Sequence, residues 1–547
     1  MSETVTTSTD APVTPPPRRI NTRAAGIVGL AVMCSRVLGL ARELILAKLF
    51  GASMGMDAFI AAFRVPNLLR DLFAEGALST AFVTTFSQKI EKEGDAPAWR
   101  LANKVATMSI IVLSAITLLG IFFAPHVVGL LAGGKGFTSE PGKLALTAWL
   151  TEIMFPFILM VSLAALVMGM LNAKNVFGVP AMASSFFNLG SIAGGVTLAW
   201  WLDPHFGPRS LTGLAIGTLI GGTLQLVVQF PALRRAGFRY RPDFNWDDPG
   251  VRQVLRLMGP AVIAASAVQV NVMINGRFAS ELPGDGPVSW LSYAFRLMQL
   301  PLGIFGVAIG TVTLPLVSRS AASGNTAEFR STLAHGMRLA FLLTIPSTVG
   351  LIMLARPIIS LIYERGRFTA ASTLHTAEAL QFYALGLAAY SGIKVLAPAF
   401  YALDKRHTPM FVSFASIVTN LLLNYLFTFK MGLGHRGLAL STGCVAMINF
   451  IALYILMRRE TQILETTQML TTLAKLAVAS AVLAALCWVG DHWLLAGWSH
   501  MALLTRIASL SLVIGVAGAA FFAAALALRV GELEDLTKLI KRKLGRR

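Results

Sequence analysis

Residues 35–87 read SRVLGLARELILAKLFGASMGMDAFIAAFRVPNLLRDLFAEGALSTAFVTTFS and place charged residues inside two long apolar segments. A charged side chain at the centre of a membrane helix costs roughly 2.5–3.5 kcal/mol on insertion scales. We therefore expect these side chains to line a watery cavity or to pair with one another. Near a helix end, Arg42 could instead extend to the membrane interface. The charged residues are Arg36, Arg42, Asp57, Arg64, Arg70, Asp71 and Glu75.

The whole chain has the composition of a polytopic membrane protein. Of its 547 residues, 55% are hydrophobic and only 13% are charged, and the mean hydropathy is +0.67. The net charge of +19 would suggest nucleic-acid binding in a soluble protein. Here the basic residues lie mostly between apolar segments, where they suit anionic lipid headgroups. We expect membrane lipids as partners and no nucleic acid.

Fourteen apolar segments are long enough to cross a bilayer, which takes about 20 helical residues. They predict an all-α polytopic membrane protein with 14 transmembrane helices. Lys and Arg collect in alternate loops, although Arg356, Arg365 and Arg367 go against this trend, so both termini are predicted to be cytoplasmic. Residues 1–23 are expected to form a disordered tail and residues 529–547 a basic tail. The segments are residues 24–50, 57–88, 103–132, 145–171, 176–202, 211–233, 253–280, 288–318, 334–355, 374–403, 409–430, 437–457, 470–497 and 501–528.

An internal repeat relates the two halves of the chain. AFRVPNLLRDLF at residues 62–73 aligns with AFRLMQLPLGIF at residues 294–305, an offset of 232, and the same offset relates Pro125 to Pro357. A parallel repeat predicts two pseudo-symmetric six-helix lobes, residues 24–235 and 250–460, with a cavity between them. Residues 470–528 supply two extra C-terminal helices. Chance similarity between apolar segments is the alternative.

The intramembrane arginines suggest what such a cavity binds. Arginines of the first, second and eighth segments, among them Arg36, Arg70 and Arg296, would converge from both lobes. A guanidinium group matches phosphate geometry and keeps its charge in an apolar environment, which predicts a phosphate or pyrophosphate ligand. Asp57 and Glu75 could be counter-charges, and purely structural ion pairs are the alternative. Along the second segment, a spacing of three or four residues puts Arg64, Asn67, Asp71 and Glu75 on one helix face.

Motifs for catalysis and for metal binding are missing from the sequence. There is no P-loop, HExxH, GxSxG or zinc-type spacing, and the eight histidines are scattered singly. Cys34, Cys444 and Cys487 form no CxxC pair. We therefore expect a transporter without a catalytic motif, a metal or a cofactor, driven by the membrane potential or an ion gradient. The lone acid Glu152 and the polar residues Asn420 and Asn424 could take part in ion coupling.

Three stretches, SRVLGLAREL, DAFIAAFRVPNLLRDLFAEGALSTAF and FRLMQLPLGIFGVAIGTVTLP, resemble the MurJ (MviN) lipid II flippases of the multidrug/oligosaccharidyl-lipid/polysaccharide (MOP) exporter superfamily. The resemblance covers the chain after about residue 24. It implies fourteen helices in two six-helix lobes, with helices 13 and 14 bordering a lipid-tail groove. It also implies alternating-access movement of undecaprenyl-pyrophosphate-linked disaccharide-pentapeptide from the inner to the outer leaflet of the bacterial inner membrane, for cell wall synthesis.

The same resemblance assigns residues to the substrate site. Relatives often carry an acid just before the arginine of the eighth helix and another three residues after it, whereas this chain has Phe295 and Gln299, so a gate built on those acids is not expected. The implied partner is lipid II, with cell wall synthesis proteins as further candidates, and a monomer is expected. By motif match, the substrate-binding residues are Arg36, Arg42, Arg70, Arg296, Ser35 and Asn67, with Asp57 and Glu75 as charge partners.

Several rival functions compete with this interpretation. A drug/ion antiporter would have the same fold, but a small cationic drug would favour an acidic or aromatic cavity. A flippase for another polyprenyl-pyrophosphate-linked oligosaccharide would need the same arginines. A membrane enzyme acting on polyprenyl phosphates should add a carboxylate cluster or a histidine beside them, and a membrane scaffold would tolerate their loss.

Overall fold

The computed structural model describes residues 22–72 and 78–533, and every regular element among them is a helix. Glu75 and the ends of both predicted tails, residues 1–21 and 534–547, lie outside the described residues. The first eleven α-helices are α1 (Thr22–Phe50), α2 (Met54–Arg70), α3 (Ser79–Glu93), α4 (Asp95–Phe122), α5 (Ala124–Ala132), α6 (Lys135–Thr138), α7 (Lys143–Met154), α8 (Phe157–Ala173), α9 (Gly178–Leu202), α10 (Ser210–Val227) and α11 (Phe230–Arg235). The others are α12 (Pro249–Glu281), α13 (Pro287–Pro301), α14 (Val307–Ala322), α15 (Thr326–Met353), α16 (Ala355–Tyr363), α17 (Ala370–Ala384), α18 (Leu387–Ala402), α19 (His407–Tyr425), α20 (His435–Thr461), α21 (Thr466–Val489) and α22 (Leu503–Ala527).

Each predicted apolar segment contains one or two of these helices. Within the described ranges, nine helical stretches are long and apolar enough to cross a membrane, or eleven if two bent pairs each count as one span. The all-helical, multi-pass fold is thereby confirmed, whereas the count of fourteen stays a prediction. Four of the breaks fall at Pro125, Pro156, Pro231 and Pro301, because proline lacks an amide N–H and its ring crowds the preceding turn.

Helix lengths repeat along the chain. Helices α4 and α15 each have 28 residues, and each is followed by a nine-residue helix, α5 or α16. Pro125 lies in α5 and Pro357 in α16, at the offset of 232 predicted from the sequence. This pattern supports the internal repeat. The lobe boundaries stay a prediction, and the first turn of α12 (Val251 and Val254) packs into the core of the N-terminal helices.

Apolar packing joins the two halves of the chain at one end. Phe50 and Phe59 share a buried cluster with Val288, Tyr293 and Phe368, which belong to the other half. Away from this end, one core is formed by C-terminal helices, whereas the other is formed by N-terminal helices together with the first turn of α12. We call the joined end, where α1 finishes and α13 begins, the closed end. The separation of the cores leaves a cavity between the halves.

Helices α21 and α22 pack on the C-terminal half. Their apolar side chains share a core with α15. A buried cation reinforces this contact, because Arg338 of α15 donates to Glu465 over 2.6 Å and also donates to Glu532. These two carboxylates flank α21 and α22 in the chain, so one arginine holds both C-terminal helices against the rest of the bundle.

Candidate functional site

A cavity of about 700 Å³ lies between the two halves of the chain. Its wall from the N-terminal half comes chiefly from α2, with single residues from α1 and α9, and its opposite wall comes chiefly from α12, α13, α19 and α20. The lining is strongly cationic for a space enclosed by apolar helices. The arginines that line it are Arg42, Arg64, Arg70 and Arg296.

An ion pair links the two halves through Glu43, a residue that the sequence pattern did not single out. Arg296 of α13 pairs with Glu43 of α1, and the Glu43 side chain is only 10% exposed whereas Arg296 is 52% exposed. Arg42 lies beside them and also contacts the Phe187 ring, 5.2 Å from its centroid. Because one carboxylate serves two neighbouring arginines, the site keeps an excess of positive charge that can bind an anion.

The second helix presents part of its predicted polar stripe to the cavity. Arg64, Asn67 and Asp71 of this stripe line the cavity, and so does Arg70, which lies off the stripe by helical spacing. Arg70 donates to Asp71 through Nε over 3.1 Å and Nη2 over 2.7 Å, and Gln269 of α12 donates to the other carboxylate oxygen over 3.4 Å. This stripe therefore connects α2 to the opposite wall.

Arg64 contacts the opposite wall of the cavity at a glycine of α12. A Cβ atom at Gly276 of α12 would lie only 2.1 Å from Nη1 of Arg64. Glycine at this position therefore makes room for the guanidinium group to lie against the α12 backbone.

The closed end is held by a buried carboxylate from α2. Asp57 accepts hydrogen bonds from the backbone N–H of Gly286 (2.9 Å) and from Ser289 through its backbone N–H (2.8 Å) and its Oγ (2.7 Å). The Nζ atom of Lys143 lies 3.2 Å from Oδ2 of Asp57, and the side chains of Lys143 and Asp57 are each at most 1% exposed. Asp57 thus caps the N-terminus of a helix from the other half, where the helix dipole favours negative charge. We call Asp57, Lys143, Gly286 and Ser289 the Asp57 cluster.

Two further contacts at the closed end are made by equivalent positions of the internal repeat. The backbone N–H of Gly134 donates to Ser280 Oγ over 3.1 Å, and a Cβ atom at Gly134 would lie 2.4 Å from the Ser280 backbone. In the other half, the N–H of Arg367 donates to the carbonyl of Lys48 over 3.0 Å, and a Cβ atom at Gly366 would lie 2.4 Å from that carbonyl. Gly134 and Gly366 occupy equivalent positions of the internal repeat. Each half therefore has a loop glycine that packs against the backbone of the other half.

Two residues implied by the family resemblance do not line the cavity formed by the described residues. Ser35 offers its backbone carbonyl to Asn188, over 3.2 Å, and so joins α1 to α9. Arg36 is exposed, and its guanidinium group lies close to Gly303 of the eighth predicted segment. Arg42, Asn67, Arg70 and Arg296 do line the cavity, whereas Asp57 lies at its closed end and Glu75 lies outside the described residues.

Neutral amides line the wall opposite α2. The Oδ1 atom of Asn275 accepts from Asn420 over 3.0 Å and from Asn424 over 2.8 Å, and Asn271 donates to Ser416 over 3.1 Å. The predicted pair Asn420 and Asn424 therefore belongs to a cluster of amides and hydroxyls from α12, α19 and α20. Such groups can bind sugar or peptide polar atoms.

Three residues of the site were not singled out from the sequence. Glu43 directly follows Arg42, so a search for charge partners would have found it. Ser289 lies 232 positions after Asp57, so the repeat itself pointed to it. Lys143 lies between apolar segments, and nothing in the sequence signals that it is buried against Asp57.

Comparisons with known proteins agree with this architecture. The family model for lipid II flippase MurJ matches residues 46–509. The chain is 37% identical over 475 residues to "Lipid II flippase MurJ" of Burkholderia cenocepacia, covering 86% of this chain and 89% of the relative. It is 35% identical over 518 residues to "Probable lipid II flippase MurJ" of Vibrio cholerae, covering 93% of this chain and 96% of the relative.

Solved structures give the same result. "Lipid II flippase MurJ, inward closed conformation" superposes with a TM-score of 0.72 at 26% identity, covering 91% of this chain and 99% of that one. An inward-facing multidrug resistance MATE transporter of the MOP superfamily shares the fold at 15% identity, with a TM-score of 0.66 and coverage of 81% and 99%. The chain therefore belongs to the MurJ family of lipid II flippases.

Proposed function

We propose that this protein moves lipid II, the undecaprenyl-pyrophosphate-linked disaccharide-pentapeptide, from the inner to the outer leaflet by alternating access. One observation carries the proposal: Arg42, Arg64, Arg70 and Arg296 meet in one cavity between two halves that are joined at one end. The names of the relatives support lipid II as the cargo.

The chemistry of the cavity suits a pyrophosphate. Guanidinium groups bind phosphate oxygens through paired N–H donors, and the apolar surroundings strengthen these contacts. The neutral amides of Asn271 and Asn275 then face the sugar and peptide parts of the headgroup. A volume of about 700 Å³ accommodates part of a headgroup, within the roughly 300–1,000 Å³ usual for ligand sites, so the polyprenyl tail stays in the lipid.

Alternating access requires the closed end to open. The Asp57 cluster, together with the contacts of Gly134 and Gly366, must then separate while the halves approach at the opposite end. Binding of the headgroup draws Arg42 and Arg296 toward the pyrophosphate and weakens the pull of Glu43 on Arg296. The membrane potential or an ion gradient drives the cycle, because no nucleotide-binding motif occurs in the sequence.

We place the protein in the bacterial inner membrane with both termini in the cytoplasm, because Lys and Arg collect in the loops of that side. In this orientation α1 starts at the cytoplasmic side, so the closed end faces outward. The cavity then receives the headgroup from the inner leaflet. The cavity is formed within one chain, and we infer that a single chain suffices for transport.

The test is outer-leaflet exposure of labelled lipid II in cells depleted of their native flippase. We expect the wild type to restore exposure and Arg70→Ala and Arg296→Ala to abolish it at matched expression. Arg406→Ala is the control, because this arginine is 76% exposed and lies away from the cavity lining.

Two results would contradict the proposal. Full exposure with both cavity variants would move headgroup binding to another part of the protein. Failure of the wild type, combined with exposure of a different polyprenyl-pyrophosphate-linked oligosaccharide, would replace lipid II as the cargo.

A further inference from the structure

Three metal-ligating side chains converge at the closed end, outside the arginine cavity. His375 and Glu378 lie one turn apart on α17, and His435 begins α20. One ligand atom from each residue, an imidazole nitrogen of each histidine and a carboxylate oxygen of Glu378, lies within 4.8 Å of the other two. Sixty positions separate the two histidines in the sequence, so only the packing of α17 against α20 creates this group.

We propose that His375, Glu378 and His435 bind a divalent transition-metal ion of the zinc class. Two imidazole nitrogens and a carboxylate oxygen form a ligand set that occurs in zinc proteins, with a further position left for water or another ligand. This proposal does not rest on the transport function.

The distances fit such an ion. Metal bonds of about 2.0–2.1 Å in a tetrahedron place neighbouring ligand atoms about 3.3 Å apart. Glu378 Oε2 lies 3.5 Å from His375 Nδ1 and 3.2 Å from His435 Nε2. An ion midway among the three atoms would therefore need only small side-chain adjustments.

The ligand atoms are also available. Within the described part of the chain, none of these three buried atoms has a partner with full hydrogen-bond geometry, and their contacts with one another are ion-pair distances of 3.2 and 3.5 Å. Buried polar atoms of this kind are usually satisfied by a further ligand. The nearest competing charge is Arg436, whose Nε lies 3.2 Å from Glu378 Oε2. Its side chain is 47% exposed, so it can turn into solvent when a cation binds.

The surroundings of the site give a metal a structural role. The Trp290 ring of α13 packs against the His375 ring at a tilt of 33° with centroids 4.3 Å apart, and its centroid lies 5.3 Å from that of the His435 ring. Trp290 directly follows Ser289, which donates to Asp57. A metal would therefore fix α17 and α20 against the start of α13 and stabilise the helix end on which the Asp57 cluster depends.

The test uses the purified full chain in detergent, stripped with a chelator and dialysed against Zn²⁺. We expect one equivalent of bound zinc, a higher melting temperature with zinc, and tetrahedral visible absorption when Co²⁺ replaces it. Glu378→Gln, His375→Ala and His435→Ala should each lower the affinity at least tenfold and remove the zinc-dependent rise in melting temperature. The exposed His126 is the site of the control, His126→Ala, which should bind like the wild type.

The proposal is overturned if the wild type binds no stoichiometric zinc or if all three variants bind it like the wild type. Should a histidine variant not fold, the wild-type stoichiometry and the isosteric Glu378→Gln variant decide the question. A different outcome would make the cluster a proton site instead. In that case the chelator-treated wild type binds no zinc, its melting temperature changes between pH 5 and 8, and the histidine variants lack this change.

Discussion

Asp57 and Ser289 lie 232 positions apart in the chain and are joined by two hydrogen bonds, 2.8 Å from the backbone N–H and 2.7 Å from the hydroxyl. That separation equals the offset of the internal repeat, so each residue contacts its own equivalent in the other half. Such a contact can form only where the two halves meet around their shared pseudo-symmetry axis. The closed end is thus built on the axis about which the halves are related.

Removing the charge of Asp57 should destabilise the closed end. In Asp57→Asn, the buried Lys143 loses its counter-charge, and breaking one partner of a buried pair costs about 3–5 kcal/mol. We expect a lower melting temperature and a longer distance between spin labels at the exposed positions Arg209 and Arg365, in a variant lacking native cysteines. Adding Lys143→Met should recover much of the melting temperature. Unchanged label distances in Asp57→Asn would contradict the role of this cluster in closure.

Neutralising Glu43 should slow transport more than it weakens binding. Without this carboxylate, Arg296 loses its ion pair, and hydrogen bonds between charged groups contribute about 1.5–3 kcal/mol, which corresponds to roughly 10–100-fold. In Glu43→Gln we expect lipid II binding to be retained and flipping to fall by about tenfold or more. Glu43→Asp should recover part of the rate. Equal losses of binding and flipping would instead make Glu43 part of the headgroup contact.

Gly134 and Gly366, the two loop glycines at the closed end, should not tolerate a methyl group. Alanine at position 134 or 366 would place Cβ within 2.4 Å of backbone atoms, and Gly366 also has a φ of +60°. Overpacking of this kind costs about 1–3 kcal/mol, so we expect a partly open closed end and reduced flipping. The matched controls are Gly129→Ala and Gly350→Ala, where a Cβ atom meets nothing within 4 Å. Loss of function in the controls as well would show a general intolerance of alanine.

The start of α12 should lose stability in acid. Burial raises the pKa of Asp248, but hydrogen bonds from Lys104 and from the N–H of Gly250 outweigh burial, so the pKa lies below its ordinary value of 3.8. A lowered pKa gives stability that is complete above the ordinary value and is lost as the pH falls through the folded-state pKa. Melting temperatures measured from pH 7 to 3 should therefore fall in the wild type by a step that Asp248→Asn lacks.

The Asp248 side chain has a second role, and a comparison of two variants separates this role from its ion pair. It caps α12 by accepting from Gly250 over 2.7 Å, and loss of such a cap costs about 1 kcal/mol. Asp248→Asn keeps a capping oxygen and loses the ion pair with Lys104 (2.8 Å), whereas Asp248→Ala loses both. We expect the alanine variant to melt lower at pH 7. Equal melting temperatures would mean that the cap contributes nothing.

The sequence by itself determined that this is an all-helical membrane protein with charges inside its helices and a repeat of 232 positions. Hydropathy and helical spacing are local properties, so they can be read along the chain. Helical spacing also placed Arg64, Asn67 and Asp71 on one helix face, and these three side chains line the cavity.

Only the tertiary structure decided which of these side chains meet. Lys143 reaches Asp57 across 86 positions, Arg296 finds its carboxylate in Glu43, and His435 joins His375 and Glu378. Ser35 and Arg36, which share the motif of Arg42, lie outside the cavity lining: the Ser35 carbonyl accepts from Asn188, and the Arg36 guanidinium group lies near Gly303. Such pairings depend on the angles and depths at which helices pack, and those follow from the sum of many apolar contacts that no single motif specifies.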